Sequence, residues 1–164
     1  MRTRSPSPAD RARLIEIISQ GAVFRQEEVS CAIELLDGAL AQAEGNTYEA
    51  LVAVPEDDAA GDQPIAYACF GATPMTEGTY DLYWLVVAAE ARGQGLGRGL
   101  LGAIEDQLRG RGIRLVRIET SSLEGQGGAA RFYGQAGYRQ VGLIADFYRR
   151  GDDLITFAKV LEDL

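Results

Sequence analysis

The chain opens with two stretches in which apolar residues recur every three or four positions, the spacing of a helix that buries one face. In RARLIEIISQ the stripe is Leu14, Ile15, Ile17 and Ile18, with Asp10 placed to cap it and Gly21 to stop it. From Gln26 to Ala43 a second stripe runs through Val29, Ile33, Leu36 and Leu40 and is closed by Gly45-Asn46. Ahead of both, residues 1–8 carry Pro6 and Pro8, so they are expected to fray or to form a short edge strand.

The pattern then changes to short apolar runs separated by turn residues. YEALVAV (48–54), IAYACFGAT (65–73) and TYDLYWLVV (79–87) read as strands, joined by the acidic surface turn PEDDAAGDQ and the PMTEG loop. From Leu96 a spacing of four returns in Leu96, Leu100, Ile104 and Leu108, which predicts a helix ending near Gly110 to Gly112. IRLVRIET (113–120) is a strand, and GAARFYGQAGY (128–138) is a short helix finished by Gly137. YRQVGLIADFY and DDLITFAKVL close the chain as strands. Successive strands suggest hairpins, and each strand–helix–strand crossing suggests a parallel pair. The expectation is one domain over residues 1–164, an α/β (α+β) architecture with a mixed sheet and helices on both faces.

Charge and composition narrow the partners. A net charge of −8 argues against a nucleic-acid backbone as ligand. There is no histidine, which excludes Ser-His-Asp and Cys-His nucleophiles and every His-based metal site. Cys31 and Cys69 stand singly in apolar surroundings and read as two buried, reduced thiols of a cytoplasmic protein. No apolar run is long enough to span a membrane, and MRTRSPSPAD lacks the apolar core of a signal peptide.

The stretch ARGQGLGRGLL (91–101) carries the chemistry. Glycines alternate at Gly93, Gly95, Gly97 and Gly99 between a hydrophobic strand and a helix start. Each glycine costs roughly 1 kcal/mol relative to alanine in a helix interior, so bare backbone must serve either close packing or a ligand that touches main-chain N–H groups. A strand-to-helix junction offers orphan N–H groups and the positive end of a helix dipole, which favour phosphate. The spacing does not fit a dinucleotide GxGxxG after a first strand, and the lysine of a Walker loop is missing. Gly99 and Gly102 read as packing glycines on the helix; Gly93, Gly95 and Gly97 read as facing a ligand.

Arg92-Gly93-Gln94-Gly95-Leu96-Gly97 resembles the Q/R-x-x-G-x-G/A loop of the GCN5-related N-acetyltransferase (GNAT) superfamily, and RFYGQAGYRQVG resembles that family's later helix-to-strand segment. The element order is similar from about residue 10 onward. The resemblance implies a central, mostly antiparallel sheet of six to seven strands with a splayed parallel pair and about four helices. It also implies acetyl-CoA as cosubstrate, no metal, an amine acceptor attacking the thioester directly, and dimers in many members. A non-catalytic CoA sensor is the alternative.

By the same resemblance, Arg92, Gly93, Gln94, Gly95, Leu96, Gly97 and Arg98 bind the pyrophosphate, and Leu85, Val86 and Val87 pair with the pantetheine arm. Asp81 stands where histone-acetylating members carry a glutamate general base; a structural or substrate-anchoring carboxylate is the other reading. A carboxylate in so apolar a strand is pushed by desolvation toward use as a base. Tyr133 matches the tyrosine that protonates the CoA thiolate, against a plain packing role, with Phe132 as core. Gln126 replaces an asparagine that often contacts the cofactor. Glu119 and Ser121 line the acceptor side or simply cap the strand end. Tyr80, Tyr83, Trp84, Phe147 and Tyr148 are core or an aromatic wall.

Overall fold

A computed structural model describes residues 1–20, 25–41, 47–56, 61–123 and 128–161. In chain order the elements are β1 (Arg2–Arg4), α1 (Arg11–Ser19), α2 (Gln26–Ala41), β2 (Tyr48–Val54), β3 (Ala66–Ala72), β4 (Thr79–Val87), α3 (Leu96–Gly110), β5 (Leu115–Ser121), α4 (Gly128–Gln135), β6 (Arg139–Arg149) and β7 (Asp152–Val160). The strands form one seven-stranded mixed sheet in the order β1-β2-β3-β4-β5-β7-β6. Pairings β1–β2, β2–β3, β5–β7 and β6–β7 are antiparallel, and β4–β5 is parallel.

The predicted strands 48–54 and 79–87 fall on these boundaries, and the N-terminal segment takes the edge-strand alternative. One crossing differs from expectation. The step β5–α4–β6 does not make an adjacent parallel pair, because β7 lies between β5 and β6 and pairs antiparallel with both. A hairpin partner therefore claims the place that the crossover alone would give to β6. Gly21, Gly45, Asn46, Gln126 and the middle of PEDDAAGDQ lie outside the described residues.

The contacts divide the chain into two compact units, Met1–Gly71 with Tyr83–Gln107, and Ala72–Leu82 with Leu108–Leu164. In the first, α1 and α2 lay Leu14, Ile17, Ile18, Ala32 and Leu36 on Val52, Val54, Tyr67 and Cys69. β3 is buried over six of its seven residues, which is why AYACFGA reads as a continuous apolar run rather than an alternation.

Two local readings are corrected here. Asp10 precedes α1, but its carboxylate makes no cap on that helix. It closes a capping box led by Ser7, accepting from the Ser7 amide at 2.7 Å, and takes a two-pronged pair from Arg4 at 2.7 and 3.0 Å. Those bonds, the Arg4 pair above all, hold the Asp10 carboxyl down at about 2. Cys69 is buried and burial pushes its thiol up to about 12, but Cys31 is exposed. Ala32, one position further along α2, is the residue that meets the core.

In the second unit β5 alternates, with Val116, Ile118 and Thr120 buried and Arg117, Glu119 and Ser121 on the more open face. β6 is the outermost strand and leaves Val141, Leu143, Ile144 and Phe147 exposed. Its register shifts between Ile144 and Arg149, where Asp146 adopts φ +53°. The Asp146 amide donates to Asp153 at 2.9 Å and its carboxylate accepts from the Gly151 amide at 2.6 Å, which fixes the bulge.

Candidate active site

In the first unit, β4 ends at Val87, a single 3-10 turn (Ala89–Ala91) follows, and α3 starts at Leu96. The first i→i−4 bond of α3 runs from the Gly99 amide to the Gly95 carbonyl at 3.0 Å. The Leu96 and Gly97 amides precede that bond, at the end of a helix where amides lack an intrahelical acceptor. Gly93 and Gly95 adopt φ +75° and +78°, and a Cβ built on either would meet nothing within 4 Å. Packing thus gives no reason for glycine at these two positions. Backbone geometry requires it, and the space beside the loop stays open.

Other glycines divide differently. A Cβ on Gly99 would come within 2.6 Å of Met1 Cε, the movable tip of an exposed side chain, so Gly99 is close to a neighbour that can give way. Gly102 is not the packing glycine expected, since nothing lies within 4 Å of its Cβ position. Arg92 makes two contacts to main-chain carbonyls. Its Nε donates to the Val87 carbonyl at 3.2 Å and its Nη2 to the Gln20 carbonyl at 3.1 Å. It braces the end of β4 against the end of α1, while Arg98 and Gln94 stand exposed on the loop and helix start. Val86 is buried in the core cluster, with Leu85 and Val87 half-buried on either side of it. Tyr83 and Trp84 pack against that same cluster, and the Tyr83 ring meets Tyr48 edge-on at 5.5 Å.

In the second unit Asp81 lies opposite Arg117 in the parallel register. Asp81 is 7% exposed, and both of its carboxylate oxygens accept hydrogen bonds. Arg117 Nε donates to Oδ1 at 2.7 Å, Arg117 Nη2 to Oδ2 at 3.2 Å, and Thr73 Oγ1 to Oδ2 at 2.9 Å. Arg117 Nη1 in turn stands 3.5 Å from Glu119 Oε1. Neither Arg117 nor Thr73 was legible as a site residue; the only hint is the alternation R-x-E in β5, which acquires meaning once the register sets Arg117 beside Asp81. Ser121 Oγ donates to Asp152 and accepts the Leu123 amide at 3.1 Å, the capping arrangement among its two readings.

Tyr133 sits half-buried on α4 in an aromatic cluster, with ring centroids 5.2 Å from Phe132, 5.9 Å from Tyr138 and 5.8 Å from Phe157. Gly137, at φ +88°, ends this helix as the sequence predicts. Tyr80 is buried, its ring under Arg111 at 5.1 Å and its hydroxyl accepting from the same guanidinium. The Phe147 and Tyr148 rings meet edge-on at 5.0 Å in β6. Among the described residues no group of three or more Cys, Asp or Glu side chains could hold a metal ion, and no helix is long and apolar enough to cross a membrane.

Comparison with known proteins agrees with this arrangement. No curated protein sequence matches the chain significantly. A protein from Desulfovibrio desulfuricans described as an acetyltransferase of the GNAT family superposes with a TM-score of 0.88 at 34% identity, covering 98% of this chain and 99% of that one. The ribosomal-protein-S18-alanine N-acetyltransferase of Escherichia coli shares the fold with a TM-score of 0.76 at 20% identity, over 99% and 95% of the two chains. An aminoglycoside 6'-N-acetyltransferase solved with coenzyme A does so with a TM-score of 0.72 at 16% identity, over 100% and 99%. The family model for acetyltransferases of the GNAT type matches residues 20–138, which include the glycine loop, β4, β5 and Tyr133. The chain therefore belongs to the acetyltransferase (GNAT) family and is an acyltransferase.

Proposed function

We propose that the protein transfers the acetyl group of acetyl-CoA to a primary amine by direct attack. The observation that carries this reading is the pair Gly93 and Gly95. Both are held at positive φ with open space beside them, directly ahead of a fifteen-residue helix, in a chain of this family. Amides at such a helix start suit the pyrophosphate of CoA, and an anion there gains from the helix dipole. Arg98 adds charge on the same turn, and Arg92 contributes by bracing the loop rather than by reaching toward the phosphates. Leu85, Val86 and Val87 supply the main chain that pairs with the pantetheine arm.

In the transfer, the amine nitrogen bonds to the thioester carbon and the C–S bond breaks. Asp81 takes the proton released by the amine, directly or through a water, and Tyr133 gives a proton to the departing CoA thiolate. No side chain is acylated, in keeping with a chain that has no histidine and whose buried thiol is pushed up to about 12. Glu119, half-exposed beside Arg117, lies on the side the acceptor would approach.

The test is release of CoA thiol from acetyl-CoA in the presence of amino acids, polyamines, aminoglycosides and short peptides, with thermal shift by CoA alone beside it. Acceptor-dependent release supports the enzyme and names its acceptor class. A CoA shift with no release for any acceptor would make the protein a CoA sensor. No shift would overturn the role of the glycine loop.

A further inference from the structure

An ionised carboxylate offers about four lone-pair sites. Asp81 has filled three of them, one on Oδ1 with Arg117 Nε and two on Oδ2 with Arg117 Nη2 and Thr73 Oγ1. Among the described residues nothing fills the fourth site, on Oδ1. The same guanidinium turns its remaining nitrogen to Glu119, so one cation ties a buried carboxylate to another whose side chain is 43% exposed. All three charged groups lie on the parallel pair: Asp81 on β4, Arg117 opposite it on β5, and Glu119 two residues further on the same face.

Stability is a poor reason for such an arrangement. The Arg117 side chain is 41% exposed, and a pair whose cation keeps much of its water contributes only about 0–1 kcal/mol. What a two-pronged pair does supply is orientation, because two parallel N–H···O bonds fix the carboxylate plane as well as its position. Thr73 removes the remaining freedom on Oδ2.

We propose that Arg117 is a positioning residue. With Thr73 behind it and Glu119 steadying its outer edge, it holds Asp81 so that the one open lone pair of Oδ1 meets the acceptor amine or the water that relays its proton. This rests on Asp81 being the group that takes the amine proton, and it goes further in assigning that group's orientation to a second residue, across the parallel pair on β5.

The experiment uses acetyl-CoA with whichever amine of the panel above gives the fastest thiol release, and compares Arg117→Ala, Arg117→Lys, Thr73→Val and Asp81→Asn. Misplacing a reacting group by about 1 Å costs on the order of 100-fold, so Arg117→Ala is expected to lower kcat by about that factor. KM for acetyl-CoA and the thermal shift by CoA should stay within about twofold of the parent, since the CoA contacts are assigned to the glycine loop and the end of β4. Low-millimolar guanidinium should restore part of the kcat of Arg117→Ala but none in the double variant with Asp81→Asn, a response that a merely structural ion pair would not give. Arg117→Lys keeps the charge without the fork and should fall between; it and Thr73→Val carry the test if the alanine variant does not fold. An Arg117→Ala protein that is folded and turns over like the parent, or one whose loss guanidinium does not relieve, overturns the proposal. Full turnover in Asp81→Asn would instead remove Asp81 from the reaction, and no turnover by the parent with any amine would return to the function itself.

Discussion

The carbonyl of Tyr133 accepts the amide of Tyr138 at 3.0 Å, and the two rings meet at 5.9 Å between centroids. With the Gly137 amide donating to the Gly134 carbonyl at 3.1 Å, this is a Schellman end to α4, complete with its apolar contact across the motif. The residue assigned as thiolate acid is thus fixed by the way its helix stops. Tyr133→Phe leaves that motif intact, so it should lower kcat by about 100-fold or more while CoA affinity holds. Gly137→Ala places a Cβ at φ +88° and should cost about 1–2 kcal/mol of stability. Steady-state kinetics and urea unfolding read the two effects separately; a Tyr133→Phe enzyme at the parent rate would remove this residue from the chemistry.

Gly95→Val forces a β-branched residue into φ +78° at a point where no neighbour obstructs it. The strain is of order 1–2 kcal/mol and local, so circular dichroism should show a folded protein. The side chain would fill the space beside the α3 amides, and the thermal shift by CoA should disappear. A retained shift would mean that the loop does not receive the pyrophosphate.

Acid sensitivity should concentrate at the N-terminus. The Asp10 carboxyl is held at about 2, below the usual carboxylate range, by Arg4 and the Ser7 groups. A carboxyl lowered on folding stabilises the native state fully above its unfolded value near 4, and the contribution fades as pH falls through 2. Asp10→Asn should therefore cost about 2 kcal/mol at neutral pH and progressively less between about pH 4 and 2. Urea midpoints of parent and variant across that interval give the difference, and a gap that persists undiminished at pH 2 would contradict the ion-pair account.

One thiol of two should react with Ellman's reagent in the native protein. Cys31 is exposed, while Cys69 is buried and its thiol pushed up to about 12. The second equivalent should appear only on unfolding. Two fast equivalents would place Cys69 nearer the surface than the fold has it. The same reagent reports CoA release, so Cys31→Ser gives a cleaner background for the turnover assay.

Periodicity made most elements legible, because strands such as YEALVAV and helices such as that from Leu96 bury faces whose spacing is written in one dimension. The glycine loop was legible for the same reason, since Gly93 and Gly95 answer to local backbone geometry. What the sequence hid is long-range. Arg117 is an ordinary strand arginine until the β4–β5 register sets it beside Asp81, thirty-six positions away. Asp10 has the composition of a cap, and only the fold brings Arg4 to its carboxylate. Cys31 shares its apolar surroundings with Cys69, but a rotation of one residue on α2 gives the core to Ala32.

The last strand in the chain occupies an inner place in the sheet, between β5 and β6. A ribosome delivers β5 first, then β6, and only afterwards the Asp152–Val160 segment that joins them. At about 5–20 residues per second, β5 waits a few seconds with one edge bare, and β6 waits beside it with no partner at all. During that interval the edge of β6 that β7 will pair, on a strand already exposing Val141, Leu143, Ile144 and Phe147, is offered to any neighbouring nascent chain. A translational pause ahead of Val160 would therefore lengthen the period in which strand exchange between polysome neighbours competes with folding.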